Sequence, residues 1–200
     1  MVALGGAADQ EVGAAERGDD LGGAGEQGAD AQALSLAPVP SAPSAASATI
    51  TRPMVSVNLW TDGACAGNPG GPGGWAAILH TGDRVRELSG GVHETTNNRM
   101  ELTAVIEGLA ALRTPCAVTV NVDSTYVMRA FTDGWLERWK RRGWKTAAGK
   151  PVKNPDLWER LDRLVAAHQV SWRWHKGHSN VELNVRCDRL ACAQRDAHRV

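Results

Sequence analysis

Hydrophobic residues along the chain follow two periods, one of two residues and one of between three and four. Alternation of apolar and polar residues predicts half-buried strands. Five strands are predicted in this way, over residues 55–61, 75–79, 85–92, 118–122 and 170–174. Gly and Asp residues between the first three predict short turns, so these strands are expected to form two hairpins.

Apolar residues spaced i, i+3 and i+4 predict helices. Residues 97–112 show this spacing, and two further helices are expected around 135–142 and 183–191. Another helix is expected to begin at Asn154, because Pro155 then occupies the first helical position. The element order β-β-β-α-β-α-α-β-α predicts an α/β fold with a five-stranded mixed sheet flanked by helices.

The first 53 residues follow neither period and are rich in Ala, Gly, Ser, Pro and acidic residues. Such a segment buries too little apolar surface to offset its ordering entropy, so it is predicted to be a disordered tail. Residues 54–200 are predicted to form one domain.

Charge is distributed unevenly between these two parts. Residues 1–50 carry seven acidic and one basic residue, whereas residues 51–200 carry 21 basic and 15 acidic ones. A basic domain favours nucleic acid as a partner. No apolar stretch approaches the ~20 residues that span a bilayer, so no membrane partner is expected. The acidic N-terminus is unlike a secretory signal, and the four cysteines form no C-x-x-C pair, which favours the cytoplasm.

Two aspartates follow predicted strands, Asp62 after the first and Asp123 after the fourth. If these strands are parallel neighbours, both carboxylates lie at one edge of the sheet. Glu101 and Asp188 lie at the margins of helical apolar stripes, so four acids could converge. Acids that converge repel one another and need cations to remain ionised together. Their oxygen atoms suit Mg²⁺ or Mn²⁺, and a pair of such ions can support phosphoryl transfer. Alternatively, each acid caps a helix or is solvated.

Five segments, in order and with ordinary spacing, resemble the motifs of type 1 ribonuclease H in its bacterial form. They are WTDGACAGNPG at 60–70, TTNNRMEL at 95–102, DSTYV at 123–127, KGH at 176–178 with RCD at 186–188, and a basic stretch at 135–153.

The resemblance implies the RNase H-like fold and a catalytic domain over residues 54–200. It implies that Asp62, Glu101, Asp123 and Asp188 hold two Mg²⁺ ions, for which Mn²⁺ can substitute, and that His178 assists proton transfer or product departure. The family cuts the RNA strand of RNA–DNA hybrids and leaves 3′-hydroxyl and 5′-phosphate ends. A cytoplasmic monomer is expected. The segment 179–185 differs from the Gly- and Pro-containing run of many relatives.

Candidate substrate contacts come from three places. The Gly-rich loop after the first strand, the start of the first long helix and the basic segment all suit a sugar-phosphate backbone. Thr125 stands where many relatives carry Gln. The candidates are Gly63, Cys65, Asn68, Asn97, Asn98, Thr125, Trp135, Trp139, Lys140, Arg141, Arg142, Trp144, Lys145 and Asn184.

Within the basic segment, Trp135, Arg138, Trp139 and Arg142 share one helical face. A core helix would not place Arg among its Trp residues, so this face is expected to be exposed and to grip the DNA strand.

The same residues allow three other interpretations. A zinc site from His175, His178, Cys187 and Cys192 has suitable ligands, but about 140° of helix rotation separates the two cysteines. A catalytically weak hybrid-binding module would tolerate loss of a carboxylate, yet every motif acid is present. Other nucleases or transposases of this fold remain an alternative.

Overall fold

The computed structural model describes residues 54–67, 69–177 and 181–199. The predicted disordered tail lies outside these residues, as do Asn68 and His178. The described chain forms five strands and five helices. In order they are β1 (Val55–Cys65), β2 (Gly71–Thr81), β3 (Arg84–Thr95), α1 (Asn97–Ala110), β4 (Cys116–Val122), α2 (Thr125–Thr132), α3 (Trp135–Arg141), α4 (Pro155–Ala166), β5 (Gln169–Trp174) and α5 (Glu182–Ala197).

The strands form one sheet in the order β3-β2-β1-β4-β5. β1, β2 and β3 pair antiparallel, as the predicted hairpins require, whereas β4 is parallel to both β1 and β5. The mixed five-stranded sheet predicted from the sequence is therefore confirmed. β2 begins four residues earlier than predicted, because its glycines at 71, 73 and 74 pair with β3 despite their low strand propensity.

Apolar residues cover both faces of this sheet. On one face, α1 packs on β1 and β2 and also contacts α4, and the fully buried Trp158 of α4 belongs to this larger core. On the other face, α5 packs on β1, β2 and β3 around a smaller core that includes Ile78 and Cys187. The smaller core contains mostly short side chains, which let α5 lie close to the sheet.

The structure contains one helix that the sequence analysis missed, α2. Ser124 is its N-cap, and its hydroxyl accepts a hydrogen bond from the Val127 amide at 3.4 Å. Val127 and Ala130 of this helix are buried. The eight-residue helix directly follows a β-branched strand, which masks its start, although a Ser before residues spaced i, i+3 was the available signal.

The beginnings of α1 and α4 are joined by one arginine. Arg99 in α1 donates to Asn154 Oδ1 at 3.2 Å and forms a two-pronged ion pair with Asp156 in α4, with distances of 3.2 and 2.8 Å. Asn154 precedes Pro155 as predicted, but its side chain makes no capping hydrogen bond and its φ is +58°. The asparagine side chain serves the neighbouring helix instead.

No helix within the described ranges is both long and apolar enough to cross a membrane.

Gly74 in β2 lets α5 approach the sheet. A Cβ atom at this position would lie 2.1 Å from the Ala191 carbonyl oxygen and 2.4 Å from the Arg195 amide nitrogen, both in the helix backbone. Because backbone atoms cannot move aside as a side-chain tip can, any side chain here would push α5 away from the sheet.

Gly74→Ala is therefore expected to lower the free energy of unfolding by about 1–3 kcal/mol, the usual effect of overpacking. Urea denaturation monitored by tryptophan fluorescence measures this change. Gly82→Asn is the control, because Gly82 has open space around it, a φ of +53° and a turn position that Asn tolerates. Equal stability of Gly74→Ala and wild type would contradict the close approach.

Candidate active site

The parallel pairing of β1 and β4 brings two aspartates to one edge of the sheet. The register pairs Trp60 with Asn121, so Asp62 and Asp123 each follow two residues later, Asp62 within β1 and Asp123 directly after β4. The sequence suggested that Asp62 ends its strand, but the strand continues beyond it. β1 continues to Cys65 because it still pairs with β2 there, with Asp62 opposite Ala76. The predicted common edge is nevertheless present.

Glu101 reaches this edge from α1, across Gly63. A Cβ atom on Gly63 would lie 2.4 Å from the Glu101 amide nitrogen, so only glycine lets the helix come this close to β1. Gly63 was predicted to contact substrate from a loop, but it lies within β1 and its lack of a side chain serves helix packing. Glu101, predicted at a helix margin, is buried with 7% of its surface exposed.

Three carboxylates meet at this point. One oxygen from each of Asp62, Glu101 and Asp123 lies within 4.8 Å of the others, and this is the one cluster of three or more metal-ligand side chains found among the described residues. Asp188 on α5 interacts with Asp62 through its charge and a hydrogen bond, although it is not part of this trio. Three of the four acids predicted from the sequence therefore meet, and the fourth, Asp188, interacts with Asp62 from outside the trio.

These acids are buried close to one another, which opposes their ionisation. Burial, then the charges of Asp123 and Asp188, raise the pKa of Asp62 from 3.8 to about 8, although the Gly63 amide donates to its Oδ1 at 2.8 Å. Burial, followed by the charges of Asp62 and Asp123, also raises the pKa of Glu101 well above its ordinary value. Asn97 partly opposes that rise by donating to Glu101 Oε1 at 3.4 Å.

This cluster fits divalent cations. Buried carboxylates that repel one another gain most from a small, highly charged ion, and an all-oxygen donor set matches Mg²⁺ or Mn²⁺ rather than zinc. Neither cysteine considered as a zinc ligand belongs to the carboxylate trio: Cys187 is buried in the smaller core, and the Cys192 thiol contacts Asp188 Oδ1 at 3.7 Å.

Four of the other predicted substrate contacts lie on or beside the elements that carry the three carboxylates. Asn97 and Asn98 open α1 as predicted, although its N-cap is Thr96, whose hydroxyl accepts the Arg99 amide hydrogen bond. Thr125 is exposed at the start of α2, two residues beyond Asp123. Cys65 lies in β1, with its thiol near the Thr95 carbonyl oxygen at 3.6 Å.

Asn184 differs from this group because its side chain is only 3% exposed. It lies in the first turns of α5 and faces the protein interior. Little surface remains there for the substrate contact predicted from the sequence.

The basic segment is anchored more firmly than predicted. Trp135 and Trp139 were expected to be exposed, but they are half-buried and pack against the larger core, as does Trp144. The expectation of exposure was wrong because the short helix α3 attaches to the larger core through its indoles together with the buried Leu136. The Trp139 ring meets that of Trp158 edge-on, with centroids 5.5 Å apart.

The cations of this segment differ in their surroundings. Lys140 forms ion pairs with Asp162 at 2.9 Å and with Glu137 at 3.2 Å, so it joins α3 to α4. Arg141, Arg142 and Lys145 are exposed, and they present positive charge to the solvent.

Sequence reasoning missed a polar group beside the cluster, Asn121 with His175. Asn121 is 1% exposed, and its Oδ1 lies 2.9 Å from His175 Nε2. The signal was an asparagine between two valines in a buried strand, where a polar side chain requires partners.

Comparisons with known proteins agree with this geometry. The RNase H family model matches residues 54–196. Ribonuclease H of Bordetella pertussis is 57% identical over 135 residues, which are 68% of this chain and 86% of that protein. LC9-RNase H1, a type 1 RNase H with the type 2 active-site motif, has a TM-score of 0.66 at 30% identity and covers 74% of this chain and 75% of its own. LC11-RNase H1 in complex with RNA/DNA hybrid has a TM-score of 0.51 at 23% identity, covers 70% and 97%, and shares the fold.

The sheet, the acidic cluster and these relatives define a metal-dependent hydrolase of the nuclease class. The chain belongs to the ribonuclease H family.

Asp62→Asn is expected to stabilise the metal-free protein. Between the ordinary pKa of 3.8 and the folded-state pKa of about 8, the folded protein binds a proton at Asp62 that the unfolded chain has released. The free energy of unfolding therefore falls as pH rises through that window, and the amide removes this loss. Thermal melts in chelator at pH 8 should show a gain of more than about 1 kcal/mol.

Asp156→Asn is the matched control with the opposite sign. Hydrogen bonding to Arg99 lowers the pKa of Asp156, so its contribution is favourable at neutral pH and disappears in acid. Since this ion pair is exposed, its loss should cost less than about 1 kcal/mol. A destabilised Asp62→Asn protein at pH 8 would show that the cluster does not repel itself.

Proposed function

We propose that this protein hydrolyses the RNA strand of RNA–DNA hybrids with two divalent metal ions and leaves 3′-hydroxyl and 5′-phosphate ends. The observation that carries the proposal is the trio of carboxylates within 4.8 Å, with Asp188 facing Asp62. Such a buried anionic centre has no role in stability, because its members raise each other's pKa values. Its use lies in binding cations.

Each acid has a proposed role set by its position. Asp62 lies in the middle of the cluster, since it interacts with Asp123, Asp188 and Glu101, and it would be the central ligand of a bound cation pair. Divalent cations held by these carboxylates would supply an activated water and stabilisation of the leaving oxygen in an in-line displacement. Glu101 is oriented by Asn97, and the Gly63 amide orients Asp62.

Substrate contacts are proposed on both sides of these acids. The first-turn amides of α1 with Asn97 and Asn98, and Thr125 at the start of α2, suit sugar and phosphate oxygens. Arg141, Arg142 and Lys145 suit the phosphates of the DNA strand. His178, outside the described residues, is proposed to carry a proton to or from the reacting phosphate or to aid product departure.

Mg²⁺ is the proposed physiological ion, with Mn²⁺ as a substitute. A monomer is proposed because one chain supplies the whole acidic cluster. The cytoplasm is the proposed compartment, since the four cysteines are free thiols.

A catalytically weak hybrid-binding module is the second candidate function. An assay of hybrid cleavage distinguishes this module from the enzyme.

Asp62→Asn is expected to abolish cleavage of a labelled hybrid while the affinity for the hybrid remains. The change removes a central charge of the cluster but leaves the surrounding surface intact. Gel analysis of labelled hybrid, duplex RNA and duplex DNA, with Mg²⁺ and then with chelator, measures cleavage and its specificity. Cutting of duplex DNA as fast as hybrid, or metal binding by wild type without any cutting, would refute the enzyme proposed here.

Replacing Arg141, Arg142 and Lys145 together with Ala should weaken hybrid binding and flatten its dependence on salt. Each lost phosphate contact makes the negative slope of log affinity against log salt less steep by about 0.7–0.9. Fluorescence anisotropy between low and moderate salt measures this slope. Arg84, Arg86 and Arg113 are exposed on other parts of the domain, and the same triple replacement there is the control. An unchanged slope would count against the basic segment as the grip.

A further inference from the structure

Asp123 lies at a place where the sheet no longer holds the chain. Pairing of β4 with β1 ends at Asn121, and its pairing with β5 ends at Val122. Asp123 is the next residue, yet its carboxylate must stay within 4.8 Å of two repelling neighbours. Contacts other than the regular β-sheet hydrogen bonds therefore have to fix the backbone of Asp123.

The chain that leaves β5 supplies these contacts. The indole N–H of Trp174 donates to the Asp123 carbonyl oxygen at 3.0 Å. The amide of the next residue, His175, donates to the Val122 carbonyl oxygen at 2.9 Å and so extends the ladder by one step. Trp174 keeps 48% of its surface exposed, so it remains outside the core while making this bond.

A side-chain hydrogen bond strengthens the same connection. The Asn121 amide group donates to the carbonyl oxygens of Leu59 and Thr119, both at 3.2 Å. Its oxygen is therefore the acceptor for His175 Nε2 at 2.9 Å, which requires the hydrogen on that ring nitrogen. The imidazole also lies against Trp60, with ring centroids 4.7 Å apart. β1, β4 and the segment after β5 are thus joined directly beneath the acids.

Gly177 completes the enclosure. A Cβ atom at this position would lie 3.2 Å from Asp123 Oδ2, so the backbone at residue 177 lies close to the carboxylate. Residues 174–177 therefore contact Asp123 at its carbonyl oxygen and beside its carboxylate.

We propose that Trp174 and His175 are positioning residues that hold Asp123 in the acidic cluster, His175 through Asn121 and Trp174 through the Asp123 carbonyl group. The inference rests on the proposed role of Asp123 in binding metal. Loss of either contact frees Asp123 to move away from Asp62, which relieves repulsion in the metal-free protein but weakens the site for cations.

Four variants test this proposal. Trp174→Phe keeps an aromatic ring but removes the N–H donor, and His175→Ala removes the donor to Asn121. His175→Gln keeps a side-chain N–H that can serve the same acceptor. Ser171→Ala is the matched control, because Ser171 also bonds β5 to β4, at 3.4 Å to the Val118 carbonyl oxygen, but at the other end of the strand pair.

Two readouts are needed, one of which does not depend on cleavage. Calorimetric titration of the nucleic-acid-free protein with Mn²⁺ should show about tenfold weaker binding for Trp174→Phe and His175→Ala, the usual effect of altering groups that orient a metal ligand. The Mg²⁺ concentration for half-maximal cleavage should rise by about the same factor, and kcat should fall while KM for hybrid stays within about twofold. His175→Gln should recover most of the loss, and Ser171→Ala should match wild type.

Two other results would contradict the positioning role of Trp174 and His175. Wild-type metal affinity in both Trp174→Phe and His175→Ala would overturn the proposal, and so would a rise in KM alone, which would place the exposed indole of Trp174 in contact with substrate. Thermal melts in chelator identify any variant that has merely lost its fold. If the wild type binds Mn²⁺ but cuts no hybrid, the proposed function fails while the calorimetric comparison still tests the positioning role.

Discussion

Repulsion between buried carboxylates is the interaction around which this domain is organised. Asp62, Glu101 and Asp123 approach within 4.8 Å in a place largely closed to water, so each resists the ionisation of the others. The cluster persists because strong packing elsewhere fixes the elements that carry it. Both faces of the sheet are covered, and the apolar residues of α1 and β1 nearest the acids are almost fully buried. The stability of the core therefore offsets the cost of a destabilising cluster of carboxylates that suits cations.

Close approach of helices to the sheet is what lets acids arrive from both faces. Gly63 lets α1 bring Glu101 onto β1 from one face, and Gly74 lets α5 approach from the other with Asp188. With larger residues at these two positions, the helices would stand further from the sheet and the carboxylates would separate. The Gly-rich sequence around β1 and β2 is thus a requirement of packing at least as much as of substrate access.

Regular periodicity predicted the mixed sheet, and the resemblance named four acids, three of which meet in one cluster. The sequence left the parallel pairing of β1 with β4 open, as a condition for the shared edge. It failed where tertiary packing decides the outcome. Trp135 and Trp139 were expected to be exposed because Arg138 shares their face, but the guanidinium donates to the Asp133 carbonyl oxygen at 2.8 Å and so allows the indoles to pack inward. The bond between Asn121 and His175 joins residues 54 positions apart, which no local pattern encodes.

The attachment of α3 has a thermodynamic consequence for molecular recognition. Trp139 packs against Trp158 and Lys140 is paired with Asp162, so the helix is held at two points before any ligand arrives. A cationic arm that had to order itself on association would lose rotational freedom of backbone and side chains at that moment. Here the backbone of α3 has already given up that entropy during folding, so a ligand of its exposed cations would meet a helix that is already ordered.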